Sequence, residues 1–251
     1  MKRLFYILFG IFFLCFFIGC QAFVTPMFQT SRDVSSQIAD LSTKDIVANI
    51  DRFAGSPEKT VAVLNELGER QEEIKSLSPS EKSAILKAGV SATIPMKEIS
   101  SIADSTMNSG ESGTDPNKVL ESVLSSVPEM DTKALEVILE SDFEGITTQD
   151  IVLSSVAVAM SAVKKEGGDT NQLAEKLKGA ITYKEDTDGS GSVSFTGDGF
   201  TDASSKEALN VVAGALDKVV KEPQRKNEEL LPGVSVDTLI GMILGGANEK
   251  N

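Results

Sequence analysis

The sequence predicts an all-α protein, a multi-helix bundle or irregular helical array, with one acidic Gly/Ser/Asp loop or small hairpin near residues 186–200. Two observations carry the helical part. Apolar residues recur at three- and four-residue spacing along most of the chain, the period that lines one face of a helix. Helix starts are marked by Ser-Pro, Asp-Pro and Thr-x-x-Asp sequences, which place an acceptor or a proline where the first helical N–H groups lack partners.

Taken in order, Val34, Ile38 and Leu41 begin the pattern, and Ile46, Val47, Ile50 and Phe53 continue it. Ser42-Thr43-Lys44-Asp45 fits the capping-box pattern, as does Thr147-Thr148-Gln149-Asp150 further on. Ser56-Pro57-Glu58 and Ser78-Pro79-Ser80-Glu81 predict helices over 57–76 and 79–92, with Val61, Leu64, Leu67, Ile85 and Leu86 facing inward. Ile94-Pro95-Met96 restarts a shorter helix carrying Ile99 and Ile102.

Residues 108–115, Asn-Ser-Gly-Glu-Ser-Gly-Thr-Asp, form the clearest linker, between an N-terminal helical region at 34–107 and a C-terminal one at 116–251. The length suits either one domain or two smaller ones. Asp115-Pro116 opens a helix over 116–127 with Val119, Leu120, Val123 and Leu124. Helices over 131–141 and 149–165 follow, and the second, through Val152, Val156, Ala159, Met160 and Val163, is apolar enough to sit at the centre.

Gly167-Gly168-Asp169 breaks the chain and recaps it into a helix with Leu173, Leu177 and Ile181. Beyond the acidic segment a helix carries Leu209, Val212, Leu216 and Val219 and stops at Pro223, and a last one runs from about Ser235 to Gly245. Gly241 and Gly245 match the small-xxx-small pattern; the apolar stretch is far below membrane-spanning length, so close packing inside the protein is expected.

Composition narrows the chemistry. The chain has 37 acidic and 24 basic residues, a net charge of −13, and a surface so acidic repels nucleic acid. It has no His, which removes the commonest general base and the usual Ser-His and Cys-His pairs. Only oxygen ligands remain for a metal, and those suit calcium or magnesium. Two S-x-x-K matches, Ser56 to Lys59 and Ser161 to Lys164, are of the kind expected by chance in a chain rich in Ser and Lys. They lack the companion motifs of Ser-Lys enzymes, and Ser56 serves more simply as a helix N-cap.

The chain opens with Lys2 and Arg3, then an uncharged run from Leu4 to Ile18 rich in Phe, Leu and Ile, and then Gly19-Cys20-Gln21. The run is about 15 residues, short of the roughly 20 needed to span a membrane. This segment resembles the leader and lipobox of bacterial lipoprotein precursors, with Phe17 where that family usually has Leu. The resemblance implies that residues 1–19 are a signal peptide, that Cys20 receives diacylglycerol and a fatty acyl group, and that residues 20–33 are a lipidated tether. Two or three acyl chains hold stably, each buried methylene contributing about 0.8 kcal/mol. The membrane is then a partner through the lipid. Gln21 is not the Asp that retains some members at the inner membrane, which favours the outer one.

Loss of Lys2 and Arg3 with the leader would take the formal charge to about −15. With Cys15 removed and Cys20 acylated no thiol is left for a disulfide, so stability must come from burial.

The segment Asp186-Thr187-Asp188-Gly189-Ser190-Gly191-Ser192-Val193-Ser194-Phe195-Thr196-Gly197 resembles the calcium loop of EF-hand and dockerin-type proteins. The resemblance implies Ca2+ bound by Asp186, Asp188 and Ser190 through side-chain oxygens and by Ser192 through its carbonyl, with Gly191 at the sharp turn. The twelfth position is Gly197 where the family has a bidentate Glu, leaving Asp198 or Asp202 to supply that carboxylate. Without it the affinity belongs near about 10⁻⁴ to 10⁻³ M. The other reading of the same residues is a Gly-Ser-Asp hairpin whose carboxylates face water while Val193, Phe195 and Phe200 cover a core edge.

These features together imply a non-enzymatic, membrane-tethered extracytoplasmic lipoprotein, a binding or assembly module for an envelope protein. A carrier with an apolar cavity between helices is the alternative. A carboxylate-dependent hydrolase would need two facing acids at about 5–9.5 Å, and no Asp or Glu spacing suggests such a pair.

Overall fold

The structure, a computed structural model, describes residues 34–53, 56–94, 124–125, 127–185, 191–231 and 234–236. The chain is mostly helical: eleven helices and two small two-stranded sheets among the described residues. Helix α1 (Val34–Ile38) belongs to an N-terminal unit ending at Leu41. All later elements belong to a second compact unit, Ser42–Asn251. The lipobox with Cys20, the tether and the 108–115 linker lie outside the described residues.

In the second unit come α2 (Thr43–Ala48), α3 (Ile50–Phe53), α4 (Pro57–Gly68), α5 (Gln71–Lys75) and α6 (Pro79–Thr93). The expected helix over 57–76 is thus two helices, broken at Glu69 and Arg70, the latter at φ −112° and ψ 39°. Gly68, with which α4 ends, packs on the start of α7: a Cβ there would lie 3.5 Å from the Lys133 Cβ. Ile74 and Leu77 are still buried after the break.

Helix α6 has the full capping box. The Ser78 hydroxyl accepts from the Glu81 N–H at 3.4 Å, and the Ser78 N–H donates to Glu81 Oε2 at 2.8 Å. At the two sites where the box was expected, only the hydroxyl half forms. Ser42 accepts from the Asp45 N–H at 3.2 Å, but the Asp45 carboxylate takes the Ser42 hydroxyl instead, at 2.6 Å. Thr147 accepts from the Asp150 N–H at 3.1 Å, while buried Asp150 reaches across to α6 and accepts from the Ser83 hydroxyl at 2.5 Å. Helix α6 stops at Ile94, extended at φ −109° and ψ 109°, because the proline that follows disfavours the helical region for it.

The C-terminal part holds α7 (Lys133–Glu140), α8 (Thr148–Lys165), α9 (Thr170–Ala180), β1 (Ile181–Glu185), β2 (Gly191–Phe195), α10 (Ala203–Lys221), α11 (Pro223–Lys226), β3 (Glu229–Leu231) and β4 (Val234–Ser235). Of the helix expected over 116–127, residues 124–125 are helical and the rest lies mainly outside the description. Helix α8 is the centre: every residue from Asp150 to Val163 is buried, and α6, α7, α9 and α10 pack on it. Helices from both sides of the 108–115 segment therefore share one core. Gly89 allows a close approach within it, since a Cβ there would lie 2.7 Å from a Leu135 methyl.

One strand replaces expected helix, and a second strand pair leads into the last one. Ile181 fits helical spacing after Leu177, but α9 ends at Ala180 behind Gly179, and the β-branched and aromatic run Ile181-Thr182-Tyr183 becomes β1. Ser235, expected to start the last helix, is in β4, paired with Glu229, and Val236 follows as helical. Gly241 and Gly245 lie outside the described residues.

Candidate functional site

The acidic segment joins the two strands of an antiparallel ribbon with register Ile181↔Phe195, Tyr183↔Val193 and Glu185↔Gly191. Ile181, Tyr183, Gly191 and Val193 are buried on one face; Lys184 and Ser194 are exposed and Thr182 and Ser192 half-buried on the other, where the Thr182 and Ser194 hydroxyls meet at 2.8 Å. This is the hairpin arrangement, with Val193 and Phe200 buried and Phe195 half-buried edge-on to Phe200, their centroids 6.2 Å apart.

Asp186, Asp188 and Ser190 lie outside the described residues. In an antiparallel ladder consecutive residues point their N–H and C=O groups to opposite sides. The Thr196 N–H donates to the Ala180 carbonyl at 2.9 Å, inside the ribbon, whereas the Val193 N–H leaves it for Asp217 Oδ1 on α10 at 3.1 Å. Alternation then aims the Ser192 carbonyl toward Lys184, its partner across the ladder. Gly191 is a strand residue, outside the left-handed region. Its lack of a side chain makes room for the Tyr183 ring, 2.5 Å from where a Cβ would stand.

Asp198 is exposed between Gly197 and Gly199, whose φ values of 73° and 86° suit glycine. Asp202 is engaged elsewhere: it caps α10, its Oδ1 accepting from the Ser205 N–H at 2.8 Å and the Ser204 hydroxyl at 2.5 Å. Those donors hold its carboxyl below the usual aspartate value. Among the described residues no group of three or more acidic side chains could hold a metal.

The residue that sequence reasoning missed is Glu166, at the end of α8. Its side chain is about 1% exposed, its Oε1 accepts from the Thr201 and Asp202 N–H groups at 2.8 and 2.7 Å, and its Oε2 from the Thr201 hydroxyl at 3.0 Å. Burial pushes this carboxyl up, but those three donors and the Lys176 ammonium at 3.9 Å hold it below the ordinary glutamate value. One sequence signal pointed here: a carboxylate at a helix C-terminus opposes the dipole and needs another reason to be there.

Both S-x-x-K matches have structural settings. Ser56 caps α4, accepting from the Lys59 N–H at 3.4 Å. Ser161 is buried within α8, and the Lys164 ammonium donates to the Val127 carbonyl. A broad, open cleft of about 460 Å³ lies at the α4–α5 junction, lined by Gly68 to Glu73 with Asp131 and Lys133. Its cations are engaged by the protein: Arg70 with Glu66 at 2.6 Å, Lys133 with Glu136 at 3.0 Å and with Glu207 at 3.2 Å.

Comparisons with protein-family models, curated proteins and solved structures give no match.

Proposed function

We propose that this chain is exported, cut before Cys20 and anchored by acyl chains on that residue, and that its helical body acts outside the cytoplasm as a non-enzymatic binding or assembly module for an envelope protein. The observation that carries the reading is the leader: two basic residues, an apolar run too short to span, and Gly19-Cys20-Gln21. Gln21 favours the outer membrane. The lack of His supports a role without acid–base catalysis. The packed surroundings of α8 support a partner bound on the exterior over cargo held in a cavity. A weak calcium site belongs to the connection between β1 and β2, on Asp186, Asp188, Ser190 and the Ser192 carbonyl with Asp198 supplying a carboxylate, its affinity low because Gly197 stands where the family has a bidentate Glu.

The anchor is tested by labelling cells with radioactive palmitate. Wild-type protein is expected to carry label and sediment with membranes, whereas Cys20→Ser carries none; label on the variant overturns the reading. Isothermal titration tests calcium: equal heats at millimolar calcium from wild type and from the Asp186→Ala, Asp188→Ala double variant end that part alone. Crosslinking in intact envelopes, followed by purification, identifies the partner.

A further inference from the structure

We infer that Asp198 is a modification site: its carboxyl condenses with the backbone nitrogen of Gly199, and reopening of the ring converts the residue to isoaspartate as the protein ages. The inference rests on neither the anchor nor the calcium reading.

The chemistry asks three things of an aspartate: reach, an unshielded nitrogen on the next residue, and freedom from competing partners. Reach is intrinsic, since the carboxyl carbon stands one bond short of a five-membered ring with the following nitrogen, and two groups held so close on one chain react far more readily than separate ones. The nitrogen is set by Gly199. Among the described residues Asp198 is the single Asp or Asn followed by glycine. Gly199 lies at φ 86°, and outside its chain neighbours a Cβ there would meet nothing nearer than the Lys176 Cγ at 4.0 Å.

Elsewhere the next N–H is committed to a helical carbonyl. After Asp45, Asp51 and Asp150, Ile46 donates to Ser42 at 3.0 Å, Arg52 to Asn49 at 2.9 Å and Ile151 to Thr147 at 3.2 Å. Asp202 is bound through its own carboxylate, to the Ser204 hydroxyl and the Ser205 N–H. Asp198 is exposed, and among the described residues no acceptor takes the Gly199 N–H and no donor engages the Asp198 carboxylate.

In the first step the Gly199 nitrogen gives up its proton and bonds to Cγ of the protonated carboxyl, whose hydroxyl leaves, so the products are a cyclic imide and one water. A water then adds to either ring carbonyl. Cleavage of the bond from nitrogen to Cγ restores aspartate. Cleavage of the bond from nitrogen to the main-chain carbonyl carbon leaves a chain running through Cβ and Cγ, one methylene longer, two residues before buried Phe200. Nothing is oxidised or reduced. Resonance makes an amide nitrogen a poor nucleophile, so the step is slow and its extent records the age of the molecule.

Incubation of the full-length chain in calcium-free buffer, followed by proteolysis and mass spectrometry, tests this. The peptide carrying residue 198 is expected to split into two species of equal mass, preceded by one lighter by a water. Electron-transfer fragmentation assigns the position, because it cuts the Cα–Cβ bond that enters the main chain only in isoaspartate. The free peptide 194–202 sets the time base. Asp198→Glu, whose ring would need a sixth member, is expected to lose the isomer at 198 completely. A folded wild-type chain with no isomer at 198 once the free peptide has half converted overturns the inference, even where Asp188, which precedes Gly189, has isomerised.

Discussion

Helix α8 and the β1–β2 ribbon are both fixed to the rest of the second unit, by different physics. Around α8 the attachment is mainly apolar: Ile151, Val152, Ala157, Val158 and Val163 are buried, with side-chain hydrogen bonds such as Ser83 to Asp150 set among them. The ribbon buries alternate residues against α10, where Asp217 takes one of its backbone N–H groups, and Glu166 takes two more in the segment that follows it. Burial gives strength proportional to area, whereas carboxylate anchors give orientation and respond to charge. The two regions should therefore fail under different perturbations.

The largest expected effect is at the centre. Ile151→Ala should lower global stability by about 2–5 kcal/mol, read as a shifted urea midpoint, because it leaves a cavity that packed neighbours fill only in part. A cost well under 1 kcal/mol would mean that α8 is less tightly packed than its burial implies. Glu166→Gln should cost less, about 1–2 kcal/mol at neutral pH. Its signature is in the pH dependence. The folded carboxyl lies below the ordinary value of 4.5, so its contribution is complete above that value and fades as the pH falls through the lowered folded value. Wild type and Glu166→Gln should converge on acidification from about pH 5, and parallel curves would remove Glu166 from this role.

Ser78→Ala should cost about 1 kcal/mol through loss of the α6 cap, visible in thermal unfolding. Lys75→Ala, which breaks the exposed pair with Glu72 at 2.6 Å, should leave the midpoint where it was.

Helix starts were legible because caps are local: Ser56, Ser78 and Thr147 act on N–H groups three residues ahead. The carboxylate at the fourth position of each pattern was less legible, since Asp150 found a partner 67 residues away in Ser83. The break at Glu69 and Arg70 was hidden because Leu67 and Ile74 stand seven apart, the spacing of an unbroken helix. Ile181 was misread for the same reason, four residues after Leu177. At the candidate site the ligand-like spacing was visible, but the direction of the Ser192 carbonyl depends on strand register, and the grips of Glu166 and Asp217 span 24 to 36 residues. Such pairings come from the fold, and no local pattern encodes them.

The meeting of Gly89 with Leu135 bears on how this sequence can drift. Any side chain gained at 89 intrudes on the Leu135 methyls, 2.7 and 2.8 Å from the new carbon, so the buried Leu135 side chain would have to turn aside, α6 and α7 to separate, or Leu135 to shrink. Descendants of this chain that carry alanine at 89 should carry a turned or altered side chain at 135, the two positions being inherited as one volume.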